Sequence, residues 1–225
     1  MLHSLGSQNL YTCLEGGSGM TSSLDRESAW QLVESNVQAT GLRRHMLAVE
    51  AAMRWYATRL EEDPDQWGLA GLLHDFDWEI HPTLEDHPAR GIPILREAGC
   101  PEEVLQAILS HNTAGTGVEQ QHRMDFALLA CDEITGLIIA AALIRPSKDV
   151  REVKLKSVKK RWKERSFAAG VNREEVDLAT SDFSRACFNG ELELWQHAGN
   201  VLAAMQGAAA ALELDGRLAS PPDPS

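Results

Sequence analysis

"GLAGLLHDFDWEI" occupies residues 68–80 of this chain of 225 residues. An apolar run with helical period stops there, and His74 and Asp75 follow side by side, with Asp77 and Glu79 just beyond. Charge at the end of a core helix is costly unless something compensates it. The identity of that partner depends on what kind of scaffold the neighbouring segments form.

They read as helices almost throughout. Upstream, "SLDRESAWQLVESN" begins on Ser/Asp capping residues and runs to about residue 36. "GLRRHMLAVEAAMRWYATRLEE" carries an apolar stripe that includes Leu47, Met53 and Leu60, and "PDQWGLAGLLHDF" opens on Pro/Asp. Downstream, "HPARGIPILREAG" and "PEEVLQAILSHN" are short helices separated by Gly99 and restarted by Pro101. A long helix spans about Met124 to Ile144, before Pro146. "VKLKSVKKRWKER" is amphipathic, with Leu155, Val158 and Trp162 inward and lysines around the rest. "NREEVDLATSDFSRA" and "ELELWQHAGNVLAAMQGAAAALEL" complete the set. No segment alternates as a strand and no repeat is visible, so the expected fold is all-α. Trp55, Trp67, Trp162 and Cys131 are assigned to the core, Gly91 to a close packing contact and Gly99 to a helix stop. Residues 1–22 ("EGGSGMTSS" among them) read as a flexible extension, with Met20 a natural start within it. Residues 23–215 read as one helical domain and 216–225 as a disordered tail.

The net charge of −12 argues against nucleic-acid binding by the whole surface. Between Arg145 and Arg165, however, ten Lys/Arg face three Asp/Glu, a local +7 that leaves −19 elsewhere. Cys13, Cys100, Cys131 and Cys187 are scattered without a C-x-x-C pair, which fits a reducing cytoplasm. The start of the chain lacks the basic and apolar regions of a signal peptide. The apolar window at residues 126–144 carries Asp132 and Glu133 near its middle, each costing about 3 kcal/mol at a bilayer centre. A cytoplasmic protein without membrane attachment is expected.

Four of the eight histidines fall at informative places. His45 lies inside the second helix, His74 ends the third, His87 opens the fourth and His111 closes the fifth. Asp132 sits mid-helix in "LLACDEITG", where a lone buried carboxylate would shift its pKa or weaken packing. Singly, each has an ordinary explanation: His111 as a helix C-cap, His87-Pro88 as a helix start, Asp77 and Glu79 as solvated loop carboxylates. Together, in the order H…HD…H…H…D, packing does not explain them. A divalent cation does.

The series resembles that of the HD superfamily of metal-dependent phosphohydrolases, over about residues 40–145. His45, "LLHDFD", "DHPARGIPIL", "AILSHN" and "LLACDEITG" fall in that superfamily's order, and the segment "RPSKDVREVKLKSVKKRWKERSFAAGVNRE" is similar to the tail of a subgroup of small bacterial HD hydrolases. The resemblance implies a helical bundle with additional C-terminal helices. It implies that His45, His74, Asp75 and Asp132 hold one ion, and that Asp75 bridges to a second held also by His87 and His111. All-N/O ligation suits two divalent transition metal ions, Mn, Fe, Co, Ni or Zn.

Such a pair would turn water into a hydroxide nucleophile and steady a phosphoryl group. Asp77 and then Glu79 are the candidates to orient or deprotonate that water. Lys148, Arg145 and Lys156 are the candidates to clamp a substrate phosphate, with Lys160 and Lys163 sharing the Lys156 face. The expected activity is hydrolysis of a small phosphate ester, a nucleotide or related monoester or diester. Two alternatives share the scaffold: a di-iron oxygenase acting on a small polar substrate, and a non-catalytic nucleotide sensor. The expected partners are that small substrate and a second copy of the chain, with no membrane and no stable nucleic-acid complex.

Overall fold

A computed structural model describes residues 24–219. The expected extension at 1–22, Met20 included, and the last residues of the tail lie outside them. Ten α-helices follow in chain order: α1 (Arg26–Asn36), α2 (Thr40–Leu60), α3 (Pro64–Leu73), α4 (Ile92–Glu97), α5 (Glu102–Ser110), α6 (Thr113–Thr116), α7 (Arg123–Leu143), α8 (Leu155–Trp162), α9 (Arg173–Phe188) and α10 (Leu194–Gly207). A short 3₁₀ turn at Val150–Glu152 precedes α8. Among the described residues there is no strand beyond a single bridge between Asp149 and Asp215.

The boundaries follow local chemistry. Asp25 caps α1 by accepting the Ser28 N–H, Asp63 caps α3 ahead of Pro64, and Asn172 caps α9. Gly99 takes a φ of 84° and lets the chain turn from α4 into α5. The segment read as "HPARGIPILREAG" is helical only from Ile92, because residues 81–91 form successive turns.

Helices α2 and α3 make the most extensive contact in the molecule. Gly71 permits it: a Cβ there would lie 2.7 Å from the Glu50 backbone nitrogen on α2. This approach brings the end of α3 against the start of α2, where His45 lies. Helix α7 packs between α2 and α9. Twelve of its 21 residues are buried, so its apolar length is spent on the core of the bundle. Trp67 and Cys131 are buried as expected, and Trp55 and Trp162 pack half-buried against the core.

Two polar groups tie the C-terminal helices on. His197 of α10 is fully buried; its Nε2–H donates to Ala130 O of α7 at 2.8 Å, and its Nδ1 accepts from the Tyr56 hydroxyl at 2.7 Å. Burial pushes its pKa down to about 4, so it stays neutral. Arg173 is buried at the start of α9 and donates to the carbonyls of Trp162, Glu164, Phe167, Ala168 and Val171. One guanidinium thus closes the loop from α8 and fixes where α9 begins.

Candidate metal centre

Two of the histidines owe their position to a common rule. The last carbonyls of a helix have no intrahelical partner. His74 is the C-cap of α3 and His111 the C-cap of α5, and each ring folds back so that Nδ1 meets an orphan carbonyl three residues earlier, Gly71 O at 2.9 Å and Ile108 O. The opposite edge of each ring, Nε2, then points away from its helix. Both helix C-termini carry partial negative charge and face the same spot, which favours a cation there.

Four elements complete the cluster. His45 Nε2 lies 2.9 Å from Asp132 Oδ1 and 3.2 Å from His74 Nε2. His87, in the turns after α3, places Nε2 3.0 Å from His111 Nε2 and 3.2 Å from Asp75 Oδ1. Asp75 stands between the two groups. Its Oδ2 faces His74 and His45 at 3.5 and 3.8 Å, and its Oδ1 faces His87 and His111 at 3.2 and 3.8 Å. Ligand atoms of His45, His74 and Asp132 all lie within 4.8 Å of one another, and so do those of Asp75, His87 and His111.

Every one of the four imidazoles is held in the tautomer that ligation needs. Carbonyls accept only, so His74 and His111 carry hydrogen on Nδ1. His87 Nδ1–H donates to Asp77 Oδ1 at 2.7 Å. Thr135 Oγ1 donates to Asp132 O and is left to accept from His45 Nδ1–H at 3.2 Å. Four Nε2 lone pairs therefore converge, in facing pairs 3.2 and 3.0 Å apart. Such contacts are repulsive unless a proton or a cation lies between them. The donor set fits divalent transition metals, with second-sphere acceptors already in place.

Residues 42–145 match the HD domain family. This chain is an HD-domain protein. It therefore belongs to a superfamily of metal-dependent hydrolases, and the matched span runs from the start of α2 to the end of α7. Helices α8–α10 lie outside it. No curated protein and no solved structure matches the chain.

The charges in the HD cluster depend on one another. Burial disfavours a charged His74, but Asp75 and Asp132 outweigh it and hold its pKa at about 9. His87 behaves alike, raised against burial to about 9 by Asp75 and Asp77. His111 is pushed down to about 4 by burial and by the His74 charge. Burial works to raise Asp75 and Asp132, yet the surrounding imidazoles hold both well below the usual carboxylate range. Glu133, beside Asp132, is raised to about 7 by burial and by its neighbour's charge.

The centre forms the floor of a cleft of about 620 Å³. Trp78, Leu84 and Leu129 line one part, and Val171, Leu178 and Ala179 of α9 and the loop before it line another. This second wall was not legible as functional in the sequence. Its signal, Glu175, Leu178 and Asp182 at i, i+3, i+7 on α9, is that of any amphipathic helix. Thr135 and the carbonyls of Gly71 and Ile108 were also missed, though a histidine directly after a helix points to the last of these.

The expected catalytic carboxylates are placed elsewhere. Asp77 is fully buried behind His87, and none of its atoms lines the cleft. Its side chain orients the His87 ring and does not face the cleft. Glu79 is exposed and accepts the N–H groups of Gln38 and Ala39 at 2.8 Å each, closing the start of α2. In this tight run of turns Asp75 and Asp77 lie on opposite sides of the His87 ring, Asp75 at Nε2 and Asp77 at Nδ1.

The expected phosphate clamps are also distant. Eleven residues of α7 separate Asp132 from Leu143, a rise of roughly 16 Å. Beyond that end, Lys148 Nζ donates to Leu143 O, and Arg145 pairs with Glu152 at 3.0 Å. Lys156, Lys160 and Lys163 are exposed on and just after α8. None of the five lines the cleft. All six lysines of the chain lie between residues 148 and 163, and none forms an ion pair among the described residues.

Proposed function

We propose that this chain is a cytoplasmic, two-ion phosphohydrolase acting on a small phosphate ester. One observation supports the reading: the two oxygens of Asp75 face two separate His/Asp groups, so this one carboxylate would serve an ion in each. Bound there, the ions would supply an activated water and neutralise charge on the phosphoryl oxygens.

The residues of the chain do the rest. His45, His74 and Asp132 would hold one ion, and His87 and His111 the other, with each of the four imidazole rings fixed by a partner on Nδ1. The cleft opens over both halves and admits an ester with its phosphorus above the floor. Attack by water oxygen on phosphorus breaks the P–O ester bond; the alcohol leaves with a proton and inorganic phosphate, or a phosphomonoester, remains. The apolar walls contributed by Leu84, Leu129 and Leu178 enclose the group that leaves.

The test is metal analysis of purified protein, followed by a phosphate-ester panel run with Mn, Fe, Co, Ni and Zn in turn. Phosphate release without O₂, lost together with bound metal in Asp75→Ala, is the expected result. Turnover that stops without O₂, or full turnover by metal-free Asp75→Ala, would overturn it.

A further inference from the structure

The cleft above the HD centre has an unusual charge lining for a phosphate site. Among the described residues that line it there is no Lys or Arg, while Glu119, Glu133, Glu175 and Asp182 join the ligands Asp75 and Asp132. Asp182 is paired with Arg185. The other three outer carboxylates have no cationic partner among the described residues. Glu133 accepts one hydrogen bond, from the Asn172 N–H at 3.2 Å, and Glu175 stands on α9 across from it. The converging imidazole nitrogens on the floor independently mark the same cleft as a place where a ligand sits.

We propose that the substrate carries a single phosphoryl group and a positively charged amine, received by Glu133 and Glu175. This rests on the phosphohydrolase reading above. Two divalent ions would offset the two aspartates and leave at most +2 at the floor, enough for one phosphate dianion and no more. A second phosphate would have to stand among uncompensated carboxylates at the mouth, and like charge there selects against it. An ammonium group reverses the sign: it offsets the cost of holding Glu133 half-buried and charged, and relieves the repulsion between Glu133 and Glu175. Glu133 stands on α7 within the matched HD span and Glu175 on α9 outside it, so half of this receptor is contributed by the chain's C-terminal helices.

The test uses manganese-loaded protein and two phosphonates that cannot be hydrolysed, aminopropylphosphonate and butylphosphonate, which differ by an ammonium in place of a methyl. Calorimetric titration should show the amine binding about fivefold more tightly, as expected for a partly exposed ion pair. Glu175→Gln and Glu133→Gln should each shrink that ratio towards one; Glu175 is exposed on a helix surface, so its variant folds even if the other does not. Equal affinities, a ratio unchanged in Glu175→Gln, or tighter binding of pyrophosphate than of either probe would overturn the inference while leaving the phosphohydrolase reading intact. Failure of both phosphonates to bind the loaded protein would sink the two together.

Discussion

Asp77→Asn separates the two roles open to a carboxylate this close to the centre. The wild-type side chain is fully buried, accepts His87 Nδ1–H through Oδ1 at 2.7 Å, and leaves Oδ2 without a hydrogen-bond partner. Gly91 makes room for it, since a Cβ there would lie 2.6 Å from Oδ2. The amide keeps the shape and one acceptor but removes the negative charge that makes the imidazole a stronger base. Loss of such an outer partner lowers metal affinity by about 10–100-fold, or about 1.4–2.7 kcal/mol. The loss should fall on the ion held by Asp75, His87 and His111, because the rings of His45 and His74 are fixed by Thr135 and Gly71 instead. Two-site manganese titration by calorimetry, with helix content checked by circular dichroism, reads this directly. Equal weakening of both sites would refute the reasoning. So would unchanged affinity with abolished turnover, which is the signature of Asp77 acting on the water.

Metal binding should release about one proton per ion at neutral pH, from His74 in one half and His87 in the other, both held near 9 when metal-free. The sign is fixed by the raised values: these protonations stabilise the metal-free fold fully below pH 6.5, and that contribution is lost as pH rises through about 9. Cations compete with the same protons, so apparent affinity should climb about tenfold per pH unit for each ion up to that point, measured by titration in buffers of different ionisation enthalpy. Gly71→Ala forces a methyl onto the Glu50 backbone and should cost about 1–3 kcal/mol in urea denaturation. It should also weaken metal at His45, His74 and Asp132 first, because it separates α2 from α3. Lys148→Ala and Lys156→Ala should each leave kcat/KM within about twofold of wild type, as surface changes remote from the cleft do; a tenfold loss would return these lysines to substrate binding.

Much of this was written locally in the chain. Helical period, Asp63-Pro64 at one end of α3 and a histidine at the other are short-range signals, and helix formation responds to them directly. The six candidate ligands could be named because metal chemistry restricts which side chains serve and because their order along the chain resembles that of the HD superfamily. Direction was another matter. Asp75 and Asp77 are chemically alike and two residues apart, and the chain alone does not say that Asp77 stands buried behind His87 instead of lining the cleft beside Asp75. Lys148 follows the helix of Asp132 closely in sequence, yet a rigid helix carries it roughly 16 Å away. The wall from α9, with Glu133 and Glu175 facing each other, arises only when Arg173 closes its loop and α7 packs against α9. Residue type and order are properties of the covalent chain, whereas the side a turn presents and the neighbour across a cleft are set by packing among helices far apart in it.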